Sequence, residues 1–141
     1  SGQPFAMGVL HEGFVYDTDP AARAVVLVRE HAPEAALSFL ARVQQAFYAE
    51  AQNVTDLEVL GRLAAEFGFD AAAFTEALSD PNVEQQTWRD YAVSQRAGVT
   101  GFPTLVGGPG EDGQYGVVTR GFARGDQVLT VLREWLARTS A

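Results

Sequence analysis

A chain of 141 residues, 47% hydrophobic and 20% charged, suits one ordinary globular domain. Its net charge of −8 comes from ten Arg and no Lys against 18 Asp and Glu, and it argues against a phosphate backbone as partner, so no nucleic acid is expected. Cysteine is absent, which excludes a disulfide, a thiolate nucleophile and a thiolate metal site, and no apolar run approaches the roughly 18 residues that span a membrane.

Residues 1–18 lack a clear period and read as an N-terminal arm. Ser1–Gly8 shows no basic stretch followed by a long apolar one, so no signal peptide is expected and the expected compartment is the cytoplasm. Ser1 is not an initiator Met, which suggests a processed chain or a part of something longer. Helical patterning begins at Asp19, a capping residue type, with Pro20 suited to the first turn and Ala21, Ala24, Val25 and Val28 on one face. Pro33 opens a second helix with Leu37, Leu40, Val43 and Phe47 as its stripe. Thr55-Asp56-Leu57-Glu58 has the form of a capping box, with Thr55 at the cap and Leu57, Leu60, Ala64 and Phe67 inward. Gly68 ends that helix, and Asp70 caps a short one carrying Phe74 and Leu78. Asp80-Pro81 opens a fifth, with Trp88, Tyr91 and Gln95 on one side, ended by Gly98.

At Val99 the character changes. Pro103–Val106 and Tyr115–Thr119 read as two short strands joined by a Gly-rich loop, an antiparallel hairpin. Asp126 then caps a last helix whose Val128, Leu129, Leu132, Trp135 and Leu136 face inward. The expected divisions are 1–18 arm, 19–98 helical block and 99–141 hairpin plus helix. A two-stranded sheet is marginal by itself and looks incomplete in an α+β chain of this length.

Several patterns are better explained by structure than by chemistry. Gly108-Pro109-Gly110-Glu111-Asp112-Gly113 matches G-x-G-x-x-G, but a strand rather than a helix follows, and Glu111 and Asp112 repel phosphate, so no dinucleotide site is expected. Asn53-Val54-Thr55 has the form of a glycosylation sequon, but Thr55 already has a capping role. His11 and His31 have no metal-ligand spacing, and no metal or cofactor is expected. Asp17 and Asp19 suit loop and cap positions rather than a catalytic pair. Trp88, Tyr91 and Trp135 are expected to build the core.

Gly98-Val99-Thr100-Gly101-Phe102-Pro103-Thr104-Leu105-Val106 resembles the cis-proline loop of the DsbA branch of the thioredoxin superfamily. The helical block before it and the hairpin and helix after it follow that branch's order. Gly2-Gln3-Pro4-Phe5 and the segment around Asp19-Pro20-Ala21-Ala22-Arg23-Ala24 are similar to FrnE-like members, which are related to the 2-hydroxychromene-2-carboxylate isomerases and kappa-class glutathione transferases. The family's first β–α unit carries Cys-x-x-Cys, or Ser in the isomerases, and residues 1–18 are too short for it. The resemblance therefore implies an incomplete thioredoxin-like (DsbA-like) α+β fold: a helical insertion bundle, a β-hairpin and a C-terminal helix.

It implies no catalytic residue in this sequence, a cis Phe102–Pro103 bond, and substrate binding by Phe102, Pro103 and Thr104, whose backbone would hold an extended peptide or protein substrate. Three functions follow: part of a thiol–disulfide oxidoreductase with thiols elsewhere, a non-catalytic peptide-binding module, or an isomerase or glutathione-transferase-like enzyme. In the family the Pro103 strand lies between its hairpin partner and a strand of that first unit; if the unit is absent, the free edge suggests a homodimer or cover by residues 1–18.

Overall fold

The computed structural model describes residues 3–6, 8, 12–110 and 113–139. Met7 and His11 and the loop carboxylates Glu111 and Asp112 lie outside them. The elements run α1 (Asp19–His31), a 3₁₀ turn (Pro33–Ala35), α2 (Ala36–Tyr48), α3 (Leu57–Ala65), α4 (Ala71–Ala77), α5 (Pro81–Arg96), β1 (Thr104–Gly107), β2 (Gly116–Arg120) and α6 (Gly125–Thr139). This is the expected α+β, DsbA-like order, five helices followed by β–β–α. The chain divides into two compact units, Ser1–Trp88 and Arg89–Ala141, and the division falls inside α5.

The first unit is a helical bundle. Its core joins Leu27 and Val28 of α1, Phe39, Val43 and Phe47 of α2, Leu60 and Leu63 of α3, and Phe74 and Leu78 at α4. The ring of Phe39 meets those of Phe67 and Phe74 edge-on, at centroid distances of 5.5 and 6.1 Å. Helices α3 and α4 approach closely at Gly61, where a Cβ would lie 2.8 Å from the Ala71 carbonyl oxygen. Gly68, at φ +89°, turns the chain out of α3 in the left-handed region that glycine adopts without penalty.

Four readings of this unit need correction. On α2, Leu37 is 80% exposed and Leu40 also faces outward, while Phe39 is fully buried. The 3₁₀ turn at Pro33 delays the α-helix to Ala36, and the inward face becomes Ala36, Phe39, Val43, Ala46 and Phe47. At α3 the cap is Asp56, whose Oδ1 accepts the Glu58 N–H at 2.9 Å, while the Thr55 hydroxyl donates to Asn53 Oδ1 at 2.7 Å. Asn53 thus holds Thr55 in a turn, one residue before the helix. At α1 the cap position is Thr18, Asp19 is already helical, and its N–H donates to Asp17 Oδ1 at 2.9 Å. Asp70 does cap α4, accepting the Ala73 N–H at 2.8 Å. The expected core role of Trp88 also fails, since it is 61% exposed and α5 buries Val83 and Thr87 instead.

In the second unit β1 and β2 pair antiparallel, with Thr104 opposite Arg120 and Gly107 opposite Gly116. The register slips by one between Leu105 and Val106, which pair with Thr119 and Val117, leaving Val118 as the extra residue of a bulge. Helix α6 packs on β2. Trp135 lies over the Gly107–Gly116 pair: a Cβ at Gly107 would sit 2.9 Å from the indole Cε2, and one at Gly116 would sit 2.8 Å from Cδ1 and closer still to Nε1. Both residues are therefore glycine for space. Asp126 sits inside the first turn of α6, which begins at Gly125, and Leu129 and Leu136 are about half exposed rather than inward.

Candidate functional site

The end of α5 sets up the candidate site. Gly98 adopts φ +74° and ends the helix, and its N–H donates to the Gln95 carbonyl at 3.0 Å. The loop then runs through Gly101 to Thr104, whose hydroxyl donates to the Gly101 carbonyl at 2.6 Å and ties the loop closed. The Phe102–Pro103 bond is cis, and so is Gly108–Pro109.

Pro103 has no N–H, so it brings only an acceptor to the sheet. Its carbonyl accepts the Gly121 N–H at 2.8 Å, one step beyond the Thr104–Arg120 pair. Backbone groups alternate sides along an antiparallel strand. The Thr104 N–H and C=O therefore turn to the other edge of β1. Among the described residues the sheet has two strands, so no strand lies along that edge. Phe102 stands beside it with 91% of its surface exposed.

Phe102, Pro103 and Thr104 are thus consecutive residues at the end of a strand whose second edge carries no strand among the described residues. The hairpin register adds Gly121 and Phe122, which sequence reading passed over, because the bond from Gly121 to Pro103 draws the end of β2 alongside. Phe122 is also highly exposed. A Gly-Phe directly after the second strand was the available signal. The other candidates do not converge here. His31 belongs to the helical unit, where its Nδ1 donates to the Leu27 carbonyl at 3.0 Å. The Gly110 N–H donates to the Gln114 carbonyl at 2.9 Å, and the strand β2 rather than a helix follows.

A second surface feature lies in the helical unit. Tyr16 stacks on Phe47 at 4.4 Å, and Phe5 meets Tyr48 at 6.0 Å. Burial, with the nearby Tyr48 hydroxyl adding to it, pushes the Tyr16 phenol above its usual 10.0. No group of three or more acidic or histidine side chains is placed to hold a metal among the described residues, and no helix there is long and apolar enough to cross a membrane.

The sequence profile of the DSBA-like thioredoxin domain matches residues 8–133. Among solved structures, a "putative protein disulfide isomerase" from Nitrosomonas europaea superposes with a TM-score of 0.89 at 34% identity, covering 97% of this chain and 67% of that one. The cytosolic disulfide reductase DsbM from Pseudomonas aeruginosa superposes with a TM-score of 0.76 at 29% identity, covering 97% of this chain and 70% of that one. A second DsbM structure, described with GSH, matches at 0.75 and 28% over the same shares. The uncharacterized protein YwbO of Bacillus subtilis is 37% identical over 71 residues, 46% of this chain and 33% of that protein. The match thus spans about a third of that relative's length.

Proposed function

The chain belongs to the DSBA-like thioredoxin domain family, a family of thiol–disulfide oxidoreductases and isomerases, and we propose on that premise that Phe102, Pro103 and Thr104 hold the substrate. The substrate is an extended peptide or protein segment. It pairs in extended form with the backbone of the Phe102–Thr104 loop at the start of β1, while the Phe102 ring packs against an apolar side chain. The observation that carries this is the almost fully exposed Phe102 directly before the Pro103–Thr104 start of the hairpin.

The thiol chemistry is supplied from outside these 141 residues. Disulfide exchange needs a thiolate to attack sulfur through a mixed disulfide, and the sequence contains no cysteine. These residues align the substrate, and by themselves they bind without turnover. The cytosolic description of one structural neighbour supports a cytoplasmic setting. Glutathione, present with that neighbour, is a short extended peptide of the kind such an edge accommodates.

The test is a titration of isotope-labelled chain with an unstructured peptide whose cysteines are blocked. Amide signals from Phe102 to Thr104 should move, and a peptide N-methylated at alternate residues should lose binding because it cannot complete the ladder. Perturbation confined to other residues, or equal binding of the N-methylated peptide, would overturn the reading.

A further inference from the structure

We propose that the cavity between the C-terminal end of α1 and α4 is a binding site for a small organic ammonium ion bearing an aryl or alkyl group. The cavity measures about 230 Å³ and is lined by Leu27, His31, Phe69, Asp70, Phe74 and two alanines, Ala73 and Ala77. It lies wholly within the Ser1–Trp88 unit, whereas Phe102–Thr104 belongs to the other unit, so it is independent of the peptide reading.

The apolar part of the ligand is set by the floor. Phe69 and Phe74 meet at 5.4 Å with an interplanar angle of 66°, and Leu27, Ala73 and Ala77 complete the lining. The groove opens to solvent at His31 and Asp70, and its volume exceeds the roughly 150 Å³ at which an enclosed apolar cavity takes up benzene, which leaves room for a phenyl ring with a short arm.

The polar part is set by the Asp70 carboxylate. The Leu27 carbonyl can only accept, so the His31 Nδ1 is the donor in their bond, and the imidazole is held at the rim of the groove. Asp70 spends Oδ1 on the Ala73 N–H, which consumes that donor and leaves Oδ2 for a ligand. The rim therefore offers a carboxylate oxygen, and its side chains include no Lys or Arg. A ligand that satisfies it must bring N–H groups and positive charge.

The field has the same sign. Within residues 1–88 four Arg stand against thirteen Asp and Glu, a net charge of −9. An ammonium ion is drawn to this unit and a carboxylate is repelled. Aromatic faces next to the carboxylate add cation–π attraction.

The probe is 2-phenylethylammonium, titrated into the isotope-labelled full chain and followed by amide shifts. Saturable changes centred on Ala73, Phe74 and Ala77 are expected. Phenylacetate, with the same ring and the opposite charge, should bind more weakly to the unaltered protein. Asp70→Asn keeps the α4 cap, because Asn caps as well as Asp, but removes the charge; binding should weaken about two- to fivefold, the range of a partly exposed ion pair. Absence of saturation, shifts centred elsewhere, phenylacetate binding as tightly as the ammonium, or unchanged affinity in Asp70→Asn would each overturn the proposal. The phenylacetate arm needs no variant and decides the matter even if Asp70→Asn fails to fold.

Discussion

At the scale of single residues, Gly116 and Trp135 are coupled by space. A methyl group at Gly116 would displace the indole, and overpacking of this kind costs about 1–3 kcal/mol. Gly116→Ala should destabilise the chain by that amount in urea unfolding, and much less when Trp135 is already Ala. Equal losses in both backgrounds would show that the two do not touch. Leu60 is fully buried, so Leu60→Ala should cost about 2–5 kcal/mol, and a loss below about 0.5 kcal/mol would contradict its place in the core. Tyr16 adds a pH dependence. Its phenol titrates above the usual value in the folded chain, so above pH 10 the unfolded chain loses its proton first. Stability should therefore fall as pH rises through the alkaline range, and Tyr16→Phe should flatten that fall in alkaline melting curves.

At the scale of elements, helix starts separate what a motif proposes from what geometry selects. The Thr55–Glu58 string fits a capping box, yet Asp56 does the capping and Thr55 is bound to Asn53. Asp56→Ala should cost about 1 kcal/mol, while Thr55→Ala should cost less, since it leaves the α3 cap bond in place. The reverse order in thermal melts would restore Thr55 as the cap. Asp70, by contrast, was legible, because a lone Asp between Phe69 and an alanine run has no competing capping residue beside it. Stripes on α2 were misread for a similar reason. Leu37, Leu40, Val43 and Phe47 keep helical spacing, but so do Ala36, Phe39, Val43 and Phe47, and periodicity alone cannot rank two overlapping faces. Phe39 won because its ring fits between Phe67 and Phe74 of other segments.

At the scale of the whole molecule, family membership and the lack of cysteine meet in one assay. Insulin reduction by dithiothreitol should proceed at the same rate with and without this chain, and an acceleration that survives removal of contaminating oxidoreductases would contradict the proposed division of labour. The free edge of β1 bears on assembly. Exposed edges recruit other strands, so these 141 residues by themselves, without the first β–α unit of the family, should pair there, and light scattering should report a dimer. A monomer at all concentrations would count against that pairing.

The order of elements, the fold class and the loop at Phe102–Thr104 were legible in the sequence, because caps, glycine stops and the Gly-Val-x-Gly-x-Pro-Thr string are local signals read over a few residues. The Gly107–Gly116 seat for Trp135, the place of Phe122 beside Pro103 and the cavity joining His31 to Asp70 were not. Each joins residues separated by between 9 and 39 positions. Which of several apolar faces is buried, and which polar atoms are left over for a ligand, depends on contacts between segments, and those exist only once the chain has packed.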